Sequence, residues 1–357
     1  MPRLLKAAAL AAILALAAAA EDAPAQAGGN VFAKYQGDAE KAVDLGLEFL
    51  ASAQRPDGSF PGQYGESTGV TSLVGMAFLS KGHLPGLGPH GHRINLCIDY
   101  ALANQNDQGV FASRGHGNGV MYAHNISALF LSEVSGMVDP ERQKRIEPAL
   151  GKAIKVILDA QAVEKVEQHR GGWRYQPDSK DSDLSCSGWA LMALRSAKLN
   201  GAPVPDSAIA DAVEYLFRCH DAKGGTFGYQ DGRSHANTLT GAGLLCLELC
   251  GFHGDPATFA AGEYIIATCR RLPGAGHEEY GNYYNAQAMF QLGGKYWEQY
   301  ADFMYPHYLD LQNPDGSWGK VEGNNPPICY ETSMMILALA VPYRQLPIYQ
   351  RDETVDE

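Results

Sequence analysis

The sequence predicts an all-α fold, a repeat array of about six outer–inner helix pairs. Three observations predict it. The phrase QRPDGSF, Gln54 to Phe60, returns as QNPDGSW from Gln312 to Trp318. Between them the chain alternates an amphipathic run with a run that is apolar nearly all round, at a period of roughly fifty residues. Glycine and proline, 40 and 19 of them, are spread along the chain as turn punctuation rather than gathered into low-complexity stretches.

Each pair has the same internal order. The first opens with AEKAVDLGLEFLASAQRPDGSF, where Val43, Leu47 and Leu50 share one helical face and Glu40, Lys41, Asp44 and Glu48 share the other. Its second run, TGVTSLVGMAFLSKG, carries Val70, Leu73, Val74, Met76, Phe78 and Leu79 on all sides. Amphipathic first runs are outer helices that meet water, and apolar second runs are inner helices that do not. The second pair is INLCIDYALANQNDQGVF with VMYAHNISALFLSEVSG, and the third is LGKAIKVILDAQ, an insert, GGW and SCSGWALMALRSAKLNG. The fourth, DAVEYLFRCHDAKGGTF with ANTLTGAGLLCLELCG, has Cys219 in the glutamine position, and the fifth, from AAGEYIIATCRR to AQAMFQLGG, is degraded. The sixth is MYPHYLDLQNPDGSW with ICYETSMMILALAVP. In each joint the glycine permits a positive φ after the outer helix, and the aromatic residue packs the turn against the helix ends.

The ends read differently. Arg3 and Lys6 precede an apolar run from Ala7 to Ala20, too short to span a bilayer comfortably, with Ala18, Ala19 and Ala20 suited to signal peptidase. Residues 1–20 are therefore read as a cleaved export signal and 21–38 as a flexible segment. The repeats fill 39–345, and 346–357 form an acidic tail. Removing residues 1–20 takes away two basic groups and no acid, so the net charge moves from −12 to −14. Such a chain repels phosphate backbones and shows no basic stripe, which argues against a nucleic-acid partner. No transmembrane segment is expected in the mature chain, and the sequence names no protein partner. Seven cysteines at 97, 186, 219, 246, 250, 269 and 329 lack the spacing of a disulfide scaffold. Several are read as small buried apolar residues, with room for one or two bridges.

The joints carry a family resemblance. Gln54/Gly58/Phe60, Gln105/Gly109/Phe111, Gln161/Gly171/Trp173 and Gln312/Gly316/Trp318, with partial copies at Cys219 and Cys269, resemble the QW motif of the prenyltransferase and squalene–hopene cyclase repeat family. The resemblance spans about residues 39–345. It implies an α/α toroid, with six inner helices around a central cavity and six outer ones around them; an open solenoid is the alternative. It also implies that the segment between each aromatic turn and its inner helix lies at the cavity rim.

Those rim segments and the inner helices they lead into supply the candidate binding residues Tyr122, His124, Trp189, His235, Tyr283, Tyr284 and Glu331. Tyr64, Glu66, Arg114, His116, Arg174, Tyr175, Arg233, Asn237, Tyr280, Asn285 and Tyr330 accompany them. Convergent polar groups at the mouth of an apolar cavity are the usual form of a binding site; the same residue types also cap helices. The stretch DSDLS places Asp181 and Asp183 where the resemblance puts the first and central acids of a D-x-D-D motif, and Leu184 where the last acid would stand. The resemblance assigns Asp183 the protonation of an alkene, which requires an acid kept protonated by burial. Read from the residues alone, Asp183 or Ser185 caps the following helix.

The expected ligand is an apolar isoprenoid, and no cofactor is called for. No metal is expected either: Asp183, Cys186 and His235 could be nominated for zinc, but their local spacings match no zinc motif. Two other functions stay open. One is an exported polysaccharide lyase or hydrolase using Glu66, Glu331 and Asp183 as acid and base. The other is a non-catalytic scaffold.

Overall fold

The computed structural model describes residues 29–61, 66–111, 119–271, 277–320 and 329–350. Residues 1–28, the sequence-assigned export signal among them, lie outside the described residues, as do Tyr64, Arg114, His116 and residues 351–357.

The described residues contain twelve α-helices in two layers. The outer layer holds α1 (Gly29–Ala53), α3 (Gly91–Ala103), α5 (Pro140–Ala162), α7 (Asp206–Arg218), α9 (Pro256–Thr268) and α11 (Gly294–Asp310). The inner layer holds α2 (Thr68–Ser80), α4 (Val120–Val134), α6 (Leu184–Leu199), α8 (Ala236–Leu249), α10 (Glu278–Leu292) and α12 (Cys329–Leu339). The split follows the sequence pattern. In α7 the buried residues Ala208, Ala212, Val213, Tyr215 and Leu216 form one stripe, whereas in α2 every residue is buried. Each inner helix packs on the next, and α12 packs back on α2, so the array closes into an α/α toroid. The predicted fold stands, and the open solenoid does not.

The repeated phrase is a tie between neighbouring repeats. Gln161 Nε2 donates to the Gly171 carbonyl of its own turn at 2.9 Å and to the Ala208 carbonyl of the next outer helix at 2.8 Å. Gln105 makes the same pair of bonds to Gly109 and Ala149, and Gln54 to Gly58 and Arg93. Gln312 bonds to Gly316 and, at 2.8 Å, to Ala42 of α1, which locks the last repeat onto the first. Only glycine fits these turns: a Cβ on Gly171, at φ +84, would stand 2.1 Å from the Asp211 carbonyl oxygen. Where Cys219 replaces the glutamine, a two-residue antiparallel ladder holds the turn. It pairs β1 (His220–Asp221) with β2 (Thr226–Phe227), Asp221 opposite Thr226.

A second bond fixes the aromatic residue of four joints to the inner helix that follows. The backbone N–H of Trp173 donates to Ser187 Oγ at 2.8 Å, that of Phe227 to Thr240 Oγ1 at 3.2 Å, and that of Trp318 to Thr332 Oγ1 at 3.0 Å. In the second repeat His124 takes this position.

Both ends of the described chain are built into the ring. Residues 29–38, expected to be flexible, are the first turns of α1; Phe32 and Tyr35 pack on Tyr305, and Lys34 pairs with Asp302. Residues 346–350, expected to begin a tail, fold under the C-terminal ends of the inner helices. Ile348 N–H donates to Glu133 Oε2 at 3.0 Å, Arg195 donates to the Ile348 carbonyl at 3.2 Å, and Gln291 donates to the Tyr349 carbonyl at 2.7 Å. Leu346, Ile348 and Tyr349 are buried. These apolar side chains find their partners only once the ring has closed.

Candidate functional site

The inner helices run parallel, and a cavity of about 710 Å³ lies among their N-terminal halves. All six contribute to its wall: Val70 and Leu73 from α2, Tyr122 and Ile126 from α4, Ser185 and Trp189 from α6, Thr238 and Leu239 from α8, Tyr280 from α10, and Tyr330 and Met334 from α12. Tyr175, Tyr229, His235 and His277 join from the turns that precede these helices. No Asp, Glu, Lys or Arg lines the cavity among the described residues. The Leu346–Tyr349 segment lies at the other end of the ring, against Glu133, Arg195 and Gln291.

Hydroxyl groups and the imidazoles of His235 and His277 are the polar side chains of the cavity wall. Tyr122 OH donates to Ser185 Oγ at 2.9 Å, and Ser185 Oγ donates to Tyr280 OH at 2.8 Å, a chain across three inner helices. The hydroxyls of Tyr175 and Tyr229 bond to each other. Burial, and then the Asp183 carboxyl nearby, holds the Tyr122 phenol well above its ordinary pKa. Burial does the same for Tyr229 and Tyr280, so these groups stay neutral hydroxyls at physiological pH.

Asp183 stands behind this wall rather than on it. It caps α6, accepting from Cys186 N–H through Oδ1 at 2.8 Å, so the capping reading of the sequence holds for Asp183. The carboxyl is fully buried, and Oδ2 accepts no hydrogen bond. Arg174 Nε lies 3.6 Å from Oδ2, and its guanidinium carbon sits 4.5 Å and 5.3 Å from the ring centres of Tyr175 and Tyr229. Burial pushes the carboxyl up to about 7, against the pull of the Cys186 N–H and Arg174. One buried acid with a raised pKa therefore stands just outside the cavity lining.

The other sequence candidates divide. Tyr122, Trp189 and His235 are on the cavity wall. Asp181 is not: its side chain is about half exposed and faces Arg174 at 3.5 Å, because it precedes the turn that dives into the barrel. His124 is fully buried and structural. Its Nδ1 accepts from Phe111 N–H at 3.1 Å, and its Nε2 contacts the Ala153 carbonyl at 3.1 Å, so it does for the second repeat what Ser187 does for the third. Burial lowers its pKa to about 4, which keeps it neutral. Tyr283 and Tyr284 form a second layer behind Trp189, Tyr283 stacking on it with ring centres 5.6 Å apart and its hydroxyl bonded to that of Tyr349. Glu331 is buried beside Gly319, off the cavity lining, and burial raises it to about 8.

Three further readings are corrected. Glu66 is a surface residue paired with Arg55 at 2.7 Å, which removes the acid–base set drawn with Glu331 and Asp183. The zinc reading fails on geometry: Cys186 donates its thiol to the Arg174 carbonyl at 3.0 Å, and no three metal-ligating side chains converge among the described residues. All seven cysteines are free thiols, Cys246 and Cys250 included.

Tyr229, Ser185 as a cavity residue, and His277 were not among the sequence candidates. For Tyr229 a signal existed. GGWRY and GTFGY share Gly-x-aromatic-x-Tyr, which the first, second and sixth repeats lack, and the two tyrosines so marked are bonding partners. His277 lies beside a degraded joint and had no such marker.

No protein-family model matches the chain, and no curated protein matches its sequence. Among solved structures it is similar to the type II terpene cyclase MstE from Scytonema in apo form. They share 13% identity at a TM-score of 0.55, over 87% of this chain and 99% of that one. A variant of MstE in complex with geranylgeranyl dihydroxybenzoate, its substrate, gives 14% identity and a TM-score of 0.54 over 87% and 99% of the two chains. A protein from Actinoplanes gives 16% and 0.53 over 85% and 98%. At these identities the likeness is one of fold, and this chain has a terpene cyclase-like α/α toroid.

Proposed function

We propose that the protein binds an isoprenoid chain in the central cavity of the toroid, as a terpene cyclase-like protein acting after export. The observation that carries this reading is the cavity itself: about 710 Å³, within the range of sites that bury small ligands, walled by aliphatic and aromatic side chains from all six inner helices. Burial of prenyl methyls against Val70, Leu73, Ile126, Leu239 and Met334 supplies the affinity. A single toroid is enough for such a site, since the match covers 99% of MstE, which is solved with a geranylgeranyl substrate.

The catalytic half of the proposal rests on Asp183. In a protonation of the ligand, Oδ2–H would break, its proton would bond to an alkene carbon, and the alkene π pair would form that bond. The carbocation left behind would lie among ring faces, Trp189 and Tyr122 foremost, whose quadrupoles favour cations. Asp183 stands behind the wall, so this step also requires the wall to move until Oδ2 meets the alkene. The export half rests on the composition of residues 1–20 and is read out by N-terminal sequencing of the mature protein.

Mass spectrometry of small molecules extracted from protein purified from its producing cells tests the reading. A stoichiometric isoprenoid is expected. An empty cavity, together with no binding of added geranylgeranyl compounds, sinks it. Asp183→Asn is expected to abolish product formation while retaining the bound lipid; full turnover in that variant removes Asp183 as the proton donor.

A further inference from the structure

Within the isoprenoid-binding reading, on which this inference rests, the cavity's polar groups specify the head of the ligand. We propose that the site takes an uncharged isoprenoid bearing an oxygen acceptor, such as a prenyl alcohol, and that Tyr280 is the residue that selects it.

The hydrogen-bond chain has a direction. Tyr122 OH gives its hydrogen to Ser185 Oγ, and Ser185 gives its own to Tyr280 OH. Tyr280 is the last link from Tyr122, and its hydroxyl reaches the Ser185 carbonyl at 3.4 Å, the far limit of a hydrogen bond, with the Tyr284 hydroxyl beside it. Its hydrogen is thus the one a ligand oxygen can take over with little loss. The Tyr175–Tyr229 pair gives a second source, since two hydroxyls joined by one hydrogen bond keep one hydrogen over. Both sources line the same cavity and both are donors, which matches an acceptor oxygen.

Charge decides the rest. A diphosphate leaving water for this cavity would find no Lys or Arg on the described wall to offset its desolvation. Arg174 is held over the Tyr175 and Tyr229 rings and faces Asp181 and Asp183. The chain as a whole carries −12, which disfavours anions further. A pure hydrocarbon would leave the two donors facing an apolar partner, with loss of the bond that selects the alcohol.

The test is a set of binding isotherms on the full mature protein, read by tryptophan fluorescence, with three probes: geranylgeraniol, geranylgeranyl diphosphate, and the hydrocarbon that carries hydrogen in place of the hydroxyl. Geranylgeraniol is expected to bind about tenfold more tightly than either of the others, one neutral hydrogen bond's worth. In Tyr280→Phe the alcohol should lose most of its advantage over the hydrocarbon, with an unchanged circular dichroism spectrum and melting temperature as the sign that the fold is intact. Tighter binding of the diphosphate overturns the proposal, as does an undiminished alcohol preference in Tyr280→Phe. If none of the three binds, the isoprenoid reading itself falls, and this inference with it.

Discussion

Two buried carboxyls stand at opposite ends of the inner-helix ring, and burial raises the pKa of both, but they do not share a role. Asp183, at the cavity end, and Glu133, at the far end, are both pushed up to about 7 by burial. Glu133 accepts from Ser196 Oγ at 2.5 Å and from Ile348 N–H at 3.0 Å, and so holds the C-terminal segment in place. Asp183 uses one oxygen as a helix cap and leaves the other without a hydrogen-bond partner. A raised pKa therefore marks burial, not function. What separates the two is whether the protein has already committed the acid's oxygens.

The sharpest way to break this comparison is to remove the far-end segment. Truncation after Gln345 deletes the buried Leu346, Ile348 and Tyr349 and should cost roughly 5 kcal/mol of stability. Chemical denaturation measures it, and an unchanged midpoint would mean that the segment is not structural. Glu133→Ala comes next. It strands the Ile348 N–H and the Ser196 hydroxyl and should cost about 3 kcal/mol. Asp183→Asn keeps a capping oxygen and should cost less than about 1 kcal/mol. Equal losses from the two substitutions would erase the distinction.

Stability against pH sharpens the same contrast. Asp183 rises from 3.8 to about 7 and Glu133 from 4.5 to about 7, so the folded state binds more protons than the unfolded one between those limits. The contribution of each is fully present below its unfolded value and is lost as pH rises through 7. His124, lowered from 6.5 to about 4, works in the opposite sense: its contribution is present above 6.5 and lost as pH falls through 4. Melting temperature should fall from pH 5 to pH 8, and Glu133→Gln should flatten that fall. A slope unaltered by the substitution would show that Glu133 does not titrate there. The smallest effect is at Asp181: its half-exposed pairing with Arg174 is worth about 0.5 kcal/mol or less, and Asp181→Ala should leave both stability and lipid binding unchanged. Loss of binding there would return Asp181 to the site.

The sequence by itself determined the twelve-helix plan, the assignment of outer and inner layers and the position of every joint but the degraded fifth. Hydrophobic periodicity and the Gln–Gly–aromatic phrase are local signals, and the helices they specify form wherever one face finds cover. It also named Tyr122, Trp189 and His235, because polar and aromatic residues are conspicuous in an otherwise apolar inner helix or in the turn just before it. Only the tertiary structure decided the use of the remaining polar groups. His124 and Ser187 occupy equivalent positions, and neither says in sequence that it will hold an aromatic N–H from the turn before it. Asp181 and Asp183 are two residues apart, yet one faces water and the other is sealed, because the turn into α6 passes between two repeats. The Tyr122–Ser185–Tyr280 chain joins residues up to 158 apart in sequence. The physical reason is common to all of them. A polar side chain's role is set by which partner reaches it, and here that partner comes from another repeat, brought near only when the ring closes.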